Sequence, residues 1–232
     1  STTGNVSNMW RAVYFGLYRP SMLIRNLKDK DVKDIEGMKD ETVKNNYLAQ
    51  AKTLRAMTYF LLVTIWDRPI FYNESSIPDE DLRADLTNGS REDFWNQIEK
   101  DLTEAIPYLQ LKSEQAPEDI GRMTRGAAQA LLGKAMLFKH YYYYCRFGQK
   151  SSAEDIADLN KGKQALLDLM NSGQNQLIHP QEPKTRKDYI NAHLCNFSYL
   201  DLPSENFPYD SENNLESVWE VQYSDVRIAD GW

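Results

Sequence analysis

The sequence predicts a mainly α protein: a tetratricopeptide-like right-handed solenoid of paired helices, with a minor irregular or β element near its C-terminal end. Three observations carry this reading. Apolar residues recur at three- and four-residue steps in five stretches between Val6 and Asn171. One stretch presents small residues, Gly126, Ala127, Ala128, Ala130 and Gly133, against which a neighbouring helix axis can come close. From Gln174 onward the helical period is lost, and Ser217 to Tyr223 (SVWEVQY) reads as a strand rich in valine and aromatics. The tetratricopeptide signature itself is not legible, so the repeat is inferred from helix lengths and small-residue faces. Residues 1–232 are expected to form a single domain, with helical repeats over about 6–173 and an irregular ligand-loop region over about 174–232.

The first helix is expected over Val6 to Leu27, with Trp10, Val13, Tyr14 and Leu17 as its apolar stripe, continued by Leu23, Ile24 and Leu27. Pro20 should kink or divide it, because proline lacks the amide that the helix needs. Asp29 to Asp40 is a charged connector. The central element lies in Leu48 to Tyr72, where Leu48, Ala51, Leu54, Met57, Leu61 and Ile65 recur at helical spacing. From Ala56 to Trp66 nearly every residue is apolar, so this half is expected to be covered on more than one side. It should stop at Asp67-Arg68-Pro69. Asn73 to Gly89 is a polar, acidic loop. Ser90 with Asp93 reads as a capping box opening a helix whose face is Phe94, Ile98, Leu102, Ala105 and Leu109, widened by Trp95 and Ile106. Pro107 should loosen its end. After a loop over Ser113 to Gly121, Thr124 caps a helix apolar round much of its girth. Of the four tyrosines Tyr141 to Tyr144, at least one should reach solvent or a ligand. A last helix over Ser151 to Asn171 turns Leu159, Leu166, Leu169 and Met170 inward and ends at Gly173, which suits a left-handed stop.

The totals exclude some functions. The chain has 232 residues, 41% hydrophobic and 26% charged, as an ordinary globular protein does. A net charge of −7 argues against nucleic acid or an anionic membrane as the main partner, and leaves room for a local basic patch. No apolar run is long enough to span a bilayer. The opening Ser1-Thr2-Thr3-Gly4 and the end on Trp232 read as a processed or partial chain. Cys145 and Cys195 match no zinc pattern, and their pairing stays open.

Catalytic and metal-binding patterns are mostly missing. His140, His179 and His193 are scattered, and His193-Leu194-Cys195 lacks a second pair of ligands. No nucleophile elbow occurs, and the Gly121 to Gly126 spacing lacks the lysine of a phosphate loop. Glu99 and Asp101, two apart on a helix, point to different faces and make poor acid/base partners for a sugar bond. Neither an enzyme nor a cofactor is expected. The positive signal is aromatic: 5 Trp, 14 Tyr and 8 Phe. A sugar ring offers a C–H face to an aromatic quadrupole, and the polar tips of tyrosine and tryptophan can meet its hydroxyls.

Five stretches, in order, resemble the SusD/RagB family of surface nutrient-binding lipoproteins. The strongest is the central run, with Leu54-Arg55-Ala56, Tyr59-Phe60-Leu61-Leu62 and then Pro69. Trp10 to Leu27 is similar to the family's early helix, and Ile98 with Asp101-Leu102 and Ala105-Ile106 to its I-x-x-D-L-x-x-A-I helix. Gly121-Arg122-Met123-Thr124 with Leu131 to Ala135 resembles the Gly-Arg-x-Thr helix, and Ser211 to Asn214 with Val218 to Ser224 the strand that closes the set. The turn after the central helix usually carries glycine in the family; here it is Trp66-Asp67-Arg68. Members are longer than this chain, so a C-terminal part, and a lipidated N-terminal cysteine, are expected outside it.

The resemblance implies a helical scaffold carrying irregular ligand loops. It implies a lipid-anchored protein on the outer face of the outer membrane that passes a glycan to a SusC-like TonB-dependent transporter. It also implies that ligand contacts come from the loop after the strand, Ser224 to Trp232. The expected stacking residues are therefore Trp232 and Tyr223, with Arg227 and Asp230 as hydroxyl partners. The alternatives are a peptide-binding member of the same family and a helical-repeat scaffold for protein partners.

Overall fold

The computed structural model describes residues 2–77, 87–142, 153–176 and 217–219. Five α-helices occupy these residues: α1 (Thr2–Leu27), α2 (Glu41–Trp66), α3 (Arg91–Ala105), α4 (Arg125–His140) and α5 (Ala153–Asn171). Each packs against its neighbour in the chain. The partners run antiparallel. Along α2 and α3, Asn46 bonds the Tyr108 carbonyl, Lys52 meets Glu104, and Arg55 meets Asp101, so one number rises as the other falls. Along α4 and α5, Lys139 meets Asp158 and Gly126 faces Leu169. The fold is mainly α, a stack of helix pairs as the sequence predicts.

Local signals set most boundaries. The Asp40 carboxylate accepts the Val43 amide at 2.9 Å and starts α2 at Glu41, seven residues before the stretch singled out from its apolar period. Ser90 and Asp93 form the capping box of α3 as expected, with the Asp93 amide bonding Ser90 Oγ at 3.1 Å and the Ser90 amide bonding Asp93 Oδ2 at 2.8 Å. Thr124 Oγ1 accepts the Ala127 amide and opens α4. Pro107 turns the end of α3 into a 3-10 turn over Ile106–Tyr108. Gly173, at φ 70°, follows α5. The stretch from Lys112 to Gly121 holds two further 3-10 turns, Lys112–Glu114 and Pro117–Asp119.

Several expectations need correction. α1 runs through Pro20 undivided. The carbonyl that loses its amide belongs to Gly16, which is exposed and open to water. Leu23 points outward, while Leu17, Ile24 and Leu27 carry the buried stripe. The expected face of α2 is buried at Ala51 and packs on the core at Met57, but not at its other large residues. Leu54, Leu61 and Ile65 point outward, with Leu61 39% and Ile65 46% exposed, and the core side is Ala49, Ala56, Tyr59, Phe60, Leu62 and Val63. When most positions are apolar, period alone does not say which face meets the neighbour. On α5, Leu169 is buried as expected, but Leu166 and Met170 are exposed. Ser217–Trp219 forms no strand, and the rest of that expected strand lies outside the described residues. The β pairing among the described residues is an isolated antiparallel bridge between Ile70 and Asn88.

The core is one aromatic-rich cluster centred on α2 and α3. Tyr59, Phe71 and Phe94 stack and meet edge to face within 5.2–5.6 Å, and Phe60 lies across Trp95 and Phe138. At its centre sits a buried ion cluster. Arg55 gives Asp101 two hydrogen bonds, Nε to Oδ2 and a terminal nitrogen to Oδ1, both 2.7 Å, and its other terminal nitrogen reaches Glu74 at 2.5 Å. Gln97 adds a bond to Asp101 Oδ1. Burial alone would lower the Arg55 pKa, but the bonds and charges of Asp101 and Glu74 raise it and hold the guanidinium charged. The Leu-Arg-Ala and Asp-Leu pairs noticed in the sequence are the two sides of this contact.

Candidate functional site

The four expected ligand residues, Tyr223, Arg227, Asp230 and Trp232, lie outside the described residues, as do Tyr143, Tyr144, Cys145, Cys195, His179 and His193. What the structure describes is the root of that segment. Ser217, Val218 and Trp219 sit on the turns that join α3 to α4. The Trp219 indole N–H donates to the Gly121 carbonyl at 2.9 Å, and Trp219 packs against the core. The Ser217 carbonyl accepts Lys112 Nζ at 2.7 Å and Asn175 Nδ2 at 2.8 Å. Gly121, whose carbonyl takes the indole, has φ 97°, a left-handed backbone that glycine adopts without strain. The Gly-Arg-Met-Thr stretch thus does two jobs: it caps α4 through Thr124 and seats Trp219 through Gly121. A small cavity of about 20 Å³ separates the two segments, bordered by Gln115, Arg122 and Thr124.

Exposed aromatics gather at the same end. Tyr47 lies in the second turn of α2 and Tyr108 ends the 3-10 turn after α3. Arg122, braced by Asp119 at 2.7 Å, lies 5.9 Å from the Tyr47 ring centre. Sequence reasoning passed over these tyrosines because each lies inside a helical pattern. Of the tyrosine run, Tyr141 is exposed and Tyr142 buried, as a helix carrying consecutive tyrosines requires.

The opposite end of the stack holds a strained turn. Asp67 has φ 68° and ψ −68°, and the Arg68 amide bonds the Trp66 carbonyl at 2.8 Å. This is a γ-turn with positive φ, a strained form that costs about 1–3 kcal/mol for a residue other than glycine. It stands in the turn where the resemblance led glycine to be expected. Arg91 holds the Asp67 carboxylate at both oxygens and Tyr142 donates to it at 3.1 Å. Those contacts lock an aspartate into a glycine conformation.

Arg91's hydrogen bonds hold the Asp67 carboxyl below its usual range, with Tyr142 helping. Burial would raise Glu74, but the charge and hydrogen bond of Arg55 outweigh it and lower that carboxyl too. Both folded pKa values are therefore below their unfolded ones. The stability these pairs supply is full above the unfolded carboxylate range, about pH 4, and is lost as pH falls through the folded values. Thermal melts taken from neutral pH downward should show a falling midpoint below about pH 4, and Asp67→Asn should flatten that fall. An unchanged slope in the variant would remove Asp67 from the account.

No group of histidine, cysteine or carboxylate side chains among the described residues could hold a metal ion. Glu99 and Asp101 diverge as expected: Glu99 pairs with Lys139 and Lys161, while Asp101 is committed to Arg55. A shallow groove of about 360 Å³ runs along α3 beside Lys161 of α5, lined by Asn96, Glu99, Lys100, Thr103 and Glu104, and none of its lining residues is aromatic.

Residues 1–145 match a family described as SusD-like, starch-binding and associating with the outer membrane. The chain belongs to the SusD-like family. A SusD-like protein of Bacteroides ovatus is 26% identical over 222 residues, covering 94% of this chain and 33% of that protein. A solved SusD-like protein of Bacteroides fragilis shares the fold at 18% identity, with a TM-score of 0.63 over 94% of this chain and 34% of the other. A structure solved with a xylogluco-oligosaccharide is 26% identical, with a TM-score of 0.56 over 75% of this chain and 31% of that one. The chain spans about a third of the length of the relatives it matches. The SusD-like motif residues now have physical roles: Arg55 and Asp101 close the central ion cluster, and Gly121 and Thr124 seat Trp219 and cap α4.

Proposed function

We propose that this chain is the helical part of a cell-surface nutrient-binding protein. In that reading the protein captures an oligosaccharide without chemically altering it and delivers it to a SusC-like TonB-dependent transporter in the outer membrane. The observation that carries the reading is the docking of Ser217–Trp219 on the α3–α4 turns, through the Trp219 to Gly121 bond. It ties the root of the segment containing Tyr223, Arg227, Asp230 and Trp232 to a rigid stack, as a binding loop requires. Tyr223 and Trp232 would stack on sugar faces, with Arg227 and Asp230 bonding hydroxyls. The likeness to a laminarin-binding SusD-like protein and to a structure solved with a xylogluco-oligosaccharide supports a glycan as ligand. Residues 1–232 act here as a single SusD-like helical domain, its repeats over about 6–173 carrying the irregular region.

The test is calorimetric titration of a glycan panel against wild type and Trp232→Ala. A wild type that binds one member, with affinity reduced about tenfold or more in the variant, is the expected result. Equal affinities would take Trp232 out of the site.

A further inference from the structure

We propose that the outer face of α1 binds an acidic polysaccharide, one bearing carboxylate or sulfate groups along an extended chain. This rests on the glycan-capture reading and names a ligand class for it. In a chain of net charge −7, α1 holds three arginines and no acidic residue. Arg11, Phe15, Tyr18, Arg19 and Arg25 are spaced so that all five fall on one side of the helix, away from Leu17, Ile24 and Leu27. Phe15 is 59% and Tyr18 42% exposed. The side of a helix that faces away from its packed neighbour is ordinarily polar. This one presents aromatic rings and cations instead.

The local chemistry fits the ligand. The Arg19 guanidinium lies 4.5 Å from the Phe15 ring centre, and Arg25 reaches Met22 Sδ at 3.0 Å, so both planar heads are laid along apolar side chains. Among the described residues, no carboxylate lies within ion-pair distance of Arg11, Arg19 or Arg25. Their forks are open for carboxylate or sulfate oxygens, which they match two at a time. The rings of Phe15 and Tyr18 offer the faces on which sugars stack. From Arg11 to Arg25 the stripe is about 21 Å long at the helical rise. A one-sided strip with cations at both ends and rings between them suits a linear polyanion better than a flat lipid surface, for which apolar side chains should project past the cations.

The experiment titrates wild type, the double variant Arg11→Gln/Arg19→Gln and Phe15→Ala with polygalacturonate, chondroitin sulfate and laminarin, and measures binding to phosphatidylglycerol vesicles. All three positions are exposed, so melting midpoints should hold and report folding directly. Expected is binding of wild type to one of the two acidic polymers, weakened about tenfold or more in the double variant, reduced in Phe15→Ala, and falling as salt rises from about 50 to about 500 mM. Binding of laminarin alone would overturn the inference and leave glycan capture standing. So would binding of an acidic polymer that the variants leave unchanged. Vesicle binding without glycan binding would assign the stripe to a lipid surface, and patch-dependent dimers in sedimentation would assign it to a second copy. Failure of wild type to bind any of the glycans would overturn both readings.

Discussion

Asp101→Ala should destabilise the protein by about 3–5 kcal/mol, the cost of leaving a buried guanidinium without its partner. The Arg55 and Asp101 side chains are each 1% exposed, so water cannot replace the lost carboxylate. Glu74 is the remaining counter-charge, but it is bound through one terminal nitrogen of Arg55, whereas Asp101 takes Nε and the other terminal nitrogen. The contact also ties the middle of α2 to α3, so its loss should reach the aromatic core around Tyr59 and Phe94. A paired apolar replacement, Arg55→Met with Asp101→Leu, should cost less than Asp101→Ala alone, because it removes both charges together. Chemical denaturation of the three proteins checks this. A double variant at least as unstable as Asp101→Ala would mean that the cluster does more than satisfy its own charges.

Gly162→Ala should cost about 1–3 kcal/mol, although alanine is intrinsically the better helix former by about 1 kcal/mol. A Cβ at Gly162 would stand 2.8 Å from Met136 Cβ and 3.4 Å from the Gly133 carbonyl oxygen. Neither neighbour can move without shifting the α4 backbone. The reciprocal change, Gly133→Ala, would put its Cβ 2.4 Å from Leu166 Cγ, so the whole Leu166 side chain must turn, but that side chain is partly exposed and has room to do so. That substitution should cost less than Gly162→Ala. Melting midpoints of the two variants separate the cases, and equal losses would show that contact distance alone, rather than the stiffness of the neighbour, sets the cost.

These positions also show what the sequence could convey. The capping box of Ser90 and Asp93, the Thr124 cap and the Gly173 stop were legible because each is a contact within a few residues. The small face of α4 was legible because only small side chains permit such an approach. Which side of α2 is buried was not, since Leu54, Leu61 and Ile65 are as apolar as the residues that reach the core. The pairing of Arg55 with Asp101 joins residues 46 apart, and no local pattern links them. Asp67 was hidden for a different reason: a positive φ announces itself through glycine, and here Arg91 and Tyr142 supply from outside what glycine would supply intrinsically. For the candidate site, the motif around Trp219 was visible, but its seat on Gly121 lies 98 residues away in the chain.

The Asn175 bond to the Ser217 carbonyl brings together two points 42 residues apart. Everything between them therefore begins and ends at the same knot on the helical stack. The bond fixes the spacing of those two points on the stack whatever the length of sequence between them. The scaffold can thus keep its register while this part of the sequence drifts. Selection can revise what hangs from the knot without renegotiating how the rods beneath it pack.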